Sequence, residues 1–128
     1  MSGNHGKVYW NELNTRDVEG AQAYYGKICG WSFDVMPMAE GGDYVIAKLG
    51  DDMVGGMFDI TGMPGLDHVP AHWLTYFGVD DVDASVAAST EAGGKVIREP
   101  FDVPEVGRIA IVEDATGAVI GLMTGSDG

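Results

Sequence analysis

From Val8 to Asn14 the chain reads Val-Tyr-Trp-Asn-Glu-Leu-Asn. Such a β-branched and aromatic run predicts a strand. The period then changes. Val18, Ala21, Tyr25 and Ile28 recur at helical spacing, with Thr15 or Asp17 as N-cap and Gly30 as terminator. Cys29 falls on this stripe and is expected to be a small core residue. Three short strands are predicted next, at Trp31–Pro37, Asp43–Leu49 and Met53–Phe58, with Gly41-Gly42 and Gly50-Asp51-Asp52 as turns. Ile60–Ala71, rich in Gly, Pro and Asp, reads as a linker.

The order then recurs. A strand at His72–Val79 precedes a helix from about Val82, capped by Asp80 or Asp81 and stopped by Gly93-Gly94. Strands at Lys95–Glu99, Arg108–Glu113 and Ala118–Thr124 come next, the last pair joined by the turn Asp114-Ala115-Thr116-Gly117. Asp17 and Asp81, Val18 and Val82, and Gly30 and Gly94 share an offset of 64 residues. Towards the end of each half the offset drifts to 66, which pairs Met53-Val54-Gly55 with Val119-Ile120-Gly121 and Met57 with Met123. An ordered series repeated in both halves marks an internal duplication. The expected organisation is a lead over residues 1–7, then a single domain over 8–124. That domain comprises module one (8–59), a linker (60–71) and module two (72–124).

Several segments carry a family likeness: Glu12-Leu13-Asn14-Thr15-Arg16-Asp17, Ala23-Tyr24-Tyr25-Gly26, Ile28-Cys29-Gly30-Trp31, Val79-Asp80-Asp81-Val82-Asp83-Ala84, Gly93-Gly94-Lys95-Val96 and Asp114-Ala115-Thr116-Gly117-Ala118. Together they resemble the vicinal-oxygen-chelate superfamily of glyoxalases, bleomycin-resistance proteins and extradiol dioxygenases, over nearly the whole stretch from Val8 to Met123. The resemblance implies an α+β fold of two βαβββ modules, with curved cup-like mixed sheets, helices outside and two chains often paired. It also implies a function somewhere between metal-dependent catalysis and metal-free sequestration of small molecules.

Strand alternation sorts the candidate residues. Leu13 should cover the first helix, so Val8, Trp10, Glu12 and Asn14 face the cup. In the fifth strand Thr75, Phe77 and Val79 should face the second helix, leaving His72, Leu74, Tyr76 and Gly78 inward. Val119, Gly121 and Met123 are expected inward, and by repeat symmetry so are Met53, Gly55 and Met57. Metalloenzymes of the resembled family carry His, Glu or Gln on the first and last strand of each module. The corresponding positions here are Trp10, Leu74, Gly55 and Gly121, none with a donor side chain.

Glu12 and His72 remain as inward acid–base groups. Glu12 is either a general base whose pKa is raised by Trp10 and the methionines, or a carboxylate paired with a donor such as Arg108 or Tyr76. Trp10 and Tyr76 offer a stacking face and an orienting hydroxyl, or ordinary packing. Met36, Met38, Met53, Met57 and Met123 suit an adaptable apolar lining or plain core. Arg108, directly after Pro104-Glu105-Val106-Gly107, is a candidate anion clamp or a structural ion pair.

Charge narrows the partners. Seven Lys+Arg face 20 Asp+Glu, a formal net charge of −13, which disfavours nucleic acid. No apolar run is long enough to span a membrane, and the lead lacks the apolar core of a signal peptide. A single cysteine allows no intrachain disulfide and fits a reducing cytoplasm. There is no phosphate-binding loop, nucleophile elbow or dinucleotide fingerprint. The expectation is a homodimeric, metal-free protein that binds a mostly apolar or aromatic small molecule. The alternative is a lyase, isomerase or dioxygenase using a shifted divalent metal ion, or Glu12 and His72.

Overall fold

The computed structural model describes residues 5–37, 43–62, 68–103 and 107–125. Met38, the turn Gly41-Gly42 and the loop Pro104-Glu105-Val106 lie outside the described residues. The chain divides into two contact units: Trp10–Trp73, and the residues up to Tyr9 together with those from Leu74 onward. The secondary structure is β1 (Val8–Thr15), α1 (Val18–Cys29), β2 (Ser32–Pro37), β3 (Asp43–Leu49), β4 (Asp52–Asp59), β5 (His72–Gly78), α2 (Val82–Glu91), β6 (Lys95–Val103), β7 (Gly107–Glu113) and β8 (Val119–Gly125). The duplication read from the sequence is therefore real: each half is a βαβββ module.

In the first unit the strands run in the order β2-β3-β4-β1, with β1 parallel to β4 and the other pairs antiparallel. Asp17 caps α1 by accepting from the Gly20 N–H at 2.8 Å, and Gly30 ends it in the left-handed conformation at φ 73°. The core gathers Leu13, Val45 and Met57 against Val18, Ala21, Tyr25, Trp31 and Phe33. Two expectations for α1 fail here. Cys29 is an exposed free thiol, and Ile28 is 58% exposed. The predicted stripe leaves the sheet in its last turn, because Trp31 and Phe33 of the next segment occupy the core side instead.

The second unit repeats the plan, in the order β5-β8-β7-β6. Asp81 caps α2 through the Ala84 N–H. Val82 and Val86 pack on Val79, Ala110, Val112 and Leu122. The strand predicted to stop at Glu99 continues to Val103. Pro100 is tolerated because β6 is an edge strand with register shifts between Val96 and Phe101.

The two described ends of the predicted linker are tied into the first unit: Ile60 is buried, its N–H donates to the Thr15 carbonyl, and Arg16 donates to the Val69 carbonyl at 2.8 Å. Residues 5–7 of the lead are hydrogen-bonded within the second unit. The Gly6 N–H donates to the Gly78 carbonyl, the Gly78 N–H donates to the Lys7 carbonyl, and His5 Nδ1 accepts from the Asp80 N–H.

Candidate functional site

Register fixes which side chains share the sheet face turned away from α1. Leu13 lies in the helix-side core, so Trp10, Glu12 and Asn14 project from the opposite face of β1. Glu12 stands opposite Gly56, and Asn14 opposite Phe58. Tyr44 pairs with Phe58 and Ile46 with Gly56, so Tyr44 and Ile46 join the same face.

A chain of hydrogen bonds crosses this face. Trp10 Nε1–H donates to Tyr44 Oη at 2.9 Å. An indole N–H can only donate, so the phenol oxygen accepts there and turns its own proton to Glu12, with which it is hydrogen-bonded. Burial, reinforced by the Glu12 charge, pushes the Tyr44 phenol far above its ordinary value. Tyr44 thus stays protonated when folded, so its contribution to stability is intact below pH ~10 and is lost as pH rises beyond the unfolded-chain value. In an alkaline titration followed at the phenolate absorbance, Tyr44 should ionise only as the chain unfolds. Tyr44→Phe should remove that late component. A wild-type titration with no unfolding-linked component would refute the arrangement.

Further along the face lies His72. Its Nδ1 is 2.9 Å from the Pro70 carbonyl oxygen, which can only accept, so Nδ1 carries the proton. The other ring nitrogen, Nε2, faces Asn14 Nδ2 at 3.5 Å. Glu12 and His72 therefore belong to one unit and one polar face, with Asn14 between them.

The remaining candidates separate. Tyr76 and Met123 are buried on the face of the second unit turned away from α2. Met57 is not on the corresponding face of the first unit; it is paired with Leu13 in the helix-side core. The cause is an extra residue at Val54: Ala47 pairs with Gly55, but Lys48 pairs with Met53. The repeat offset is thus 66 before this bulge and 65 after it, and the change reverses the facing of every later residue in the strand. Gly56, not Gly55, is the mate of Gly121.

Arg108 does not point to the inner face either. It shares parity with Ala110 and Val112 on the α2 side. There it forks onto Asp83 at 2.8 and 3.1 Å and reaches Asp102 at 3.2 Å. These contacts hold the Asp83 carboxyl below its ordinary range and Arg108 above its own. Arg108 is a structural ion pair, and the donor to Glu12 is Tyr44, which strand alternation in β1 and β5 does not single out. A signal for it exists: Val45 and Ala47 are the apolar side of β3, which puts Tyr44 on the other.

A divalent ion at the family's usual level finds no donors. In the first unit those positions are Trp10 and Gly56, in the second Leu74 and Gly121. Both glycines lie beneath a tyrosine. A Cβ on Gly56 would collide with the Tyr44 hydroxyl, and one on Gly121 with the Tyr76 ring. Among the described residues no group of three or more His, Cys, Asp or Glu could hold a metal ion. The residues do not fit the group.

Residues 7–122 match the family model described as Glyoxalase/Bleomycin resistance protein/Dioxygenase superfamily. The chain is 43% identical over 118 residues to the Mycobacterium tuberculosis protein named "Putative glyoxylase CFP32", covering 92% of this chain and 44% of that protein. It is 30% identical to the Streptomyces peucetius "Anthracycline biosynthesis protein DnrV", covering 95% of this chain and 50% of that one. The chain thus spans about half the length of the curated relatives it matches. Among solved structures, methylmalonyl-CoA epimerase from Mycobacterium tuberculosis is similar at a TM-score of 0.64 and 16% identity, covering 93% of this chain and 87% of that one. Methylmalonyl-CoA epimerase from Streptomyces coelicolor reaches 0.68 at 19% identity, covering 95% and 96%. At such identities these structures speak for the fold alone. With its two βαβββ modules and a family match across almost its full length, the chain belongs to the glyoxalase/bleomycin resistance protein/dioxygenase superfamily.

Proposed function

We propose that this protein binds a small, mostly apolar or aromatic molecule without a metal ion, as a homodimer in the cytoplasm. The observation that carries this reading is the pair of tyrosines lying over the two glycines at the metal-ligand level. A phenol there supplies an aromatic surface and, at Tyr44, a fixed hydroxyl, in place of a Lewis acid. Trp10 provides the stacking face, and Glu12 and Tyr44 the orienting polar groups. Tyr76 and Met123 form an apolar surface of the same kind on their own unit. A relative named for anthracycline biosynthesis agrees with a planar aromatic ligand. The exposed Cys29 thiol suits a reducing compartment.

The test uses acridine and naphthol as planar probes, followed by indole emission. Binding in the micromolar range, about −8 kcal/mol, is expected, and Trp10→Ala should weaken it at least about tenfold. Equilibrium dialysis against Zn²⁺, Mn²⁺ and Co²⁺ should retain only substoichiometric metal. Probe binding indifferent to Trp10→Ala would overturn the reading, as would one tightly held metal ion per chain.

A second reading is supported by the Asn14–His72 contact beside Glu12: acid–base chemistry shared by Glu12 and Nε2 of His72. It differs in one measurable way. Turnover of a carbonyl substrate, abolished by both Glu12→Gln and His72→Gln, would replace sequestration by catalysis.

A further inference from the structure

Helix α1 carries an exposed stripe that the fold does not use. Glu19, Ala23, Tyr24, Lys27 and Ile28 fall at helical spacing on its outer side and are all exposed, Tyr24 and Ile28 at 58% each. No residue of α1 is buried, whereas α2 buries Val82 and Val86. The stripe is also stiff. Tyr24 stands edge-on to Tyr25 at 5.1 Å, and Tyr25 stacks on Trp31 at 5.4 Å. Trp73, itself 37% exposed, donates its indole N–H to the Tyr25 hydroxyl at 3.1 Å. Little side-chain freedom remains to be lost when a partner covers Tyr24.

The charges on the stripe identify the partner. Glu19 and Lys27 lie symmetrically about Ala23, four residues to either side. Two copies of α1 packed antiparallel about a twofold axis at Ala23 would bring Glu19 of one chain onto Lys27 of the other, twice. The small Ala23 sits at the crossing, where helix axes approach to about 8–10 Å, and Tyr24 and Ile28 flank it. The stripe is neutral in sum on a chain of net charge −13, so here two copies can meet without the repulsion that the rest of the surface imposes. We infer that α1 is a self-association surface whose occupant is α1 of a second copy of this chain. The inference rests on the proposed pairing of two chains and names the surface that performs it.

Sedimentation velocity on the full chain and on surface variants tests this. The wild type should show a monomer–dimer equilibrium at micromolar concentration, consistent with one short helix pair. Tyr24→Lys combined with Ile28→Glu should leave a folded monomer, with circular dichroism unchanged. Glu19→Lys or Lys27→Glu alone places like charges in apposition and should raise the dissociation constant about five- to tenfold. The double swap of Glu19→Lys with Lys27→Glu should bring it back to within about twofold of wild type. A chain that stays monomeric at every concentration refutes both the pairing and this surface. A dimer indifferent to the Tyr24 and Ile28 variants, or one that the double swap fails to restore, refutes the surface alone.

Discussion

Replacing Met57 with alanine should cost the fold about 2–5 kcal/mol, the range for truncating a buried side chain whose surroundings cannot collapse into the space. Met57 has no solvent exposure and lies between Leu13 and Val45 beneath α1. The cost should appear as a lower urea midpoint with an unchanged slope. Probe affinity should stay within about twofold of wild type, because the side chain is on the far side of the sheet from Trp10, Glu12 and Tyr44. The sequence repeat alone places Met57 in the pocket, and that placement predicts the reverse: mild destabilisation and a large loss of binding. The two measurements together decide which face it occupies.

The misplacement of Met57 shows what a sequence can and cannot convey about such a fold. The caps Asp17 and Asp81 and the stop at Gly30 are local signals, carried by residue chemistry within one turn, and they act where the pattern places them. The facings of β1, β5 and β8 are legible because each strand carries apolar residues that only a helix can cover: Leu13 on β1, Phe77 on β5, and Ile120 with Leu122 on β8. A bulge has no such local mark. The extra residue at Val54 is defined by its partner strand, through Lys48 pairing with Met53, and pairing is a long-range property. One inserted residue reverses every facing beyond it, so Met57 changes sides.

Tyr44 escapes a reading of the sequence for a related reason. Its chemistry depends on Trp10 and Glu12, which are far from it along the chain and reach it only through the β3-β4-β1 order. Ile28 and Cys29 fail differently. Helical period identifies a face but not where along the helix that face stops being covered, and Trp31 and Phe33 take the space that the last turn of α1 is expected to fill. An ion pair is one of the two roles the sequence allows Arg108, but its acidic partners Asp83 and Asp102 can be named only once β6, β7 and α2 are placed.

Gly56→Ala should be nearly as damaging as Met57→Ala, although it adds one methyl group to a strand. The new Cβ would occupy the space of the Tyr44 hydroxyl. β4 cannot retreat, since Gly56 is paired on both sides, with Glu12 and with Ile46. Tyr44 must swing away. Overpacking of this kind costs about 1–3 kcal/mol. Displacing the hydroxyl also strands the Trp10 N–H and takes a donor from Glu12, adding about 1–3 kcal/mol. Probe binding should fall with stability, and the unfolding-linked phenol titration should disappear. The control is a double-mutant cycle: with Tyr44→Ala already present, the alanine at position 56 has nothing to displace, so the two costs should fall short of additivity by about 0.5–3 kcal/mol. Additive costs, or a Gly56→Ala variant within about 0.5 kcal/mol of wild type, would mean that the tyrosine is not held over the glycine. The physical reason for proposing a site without metal would then be lost, because the space above Gly56 would be free of the phenol.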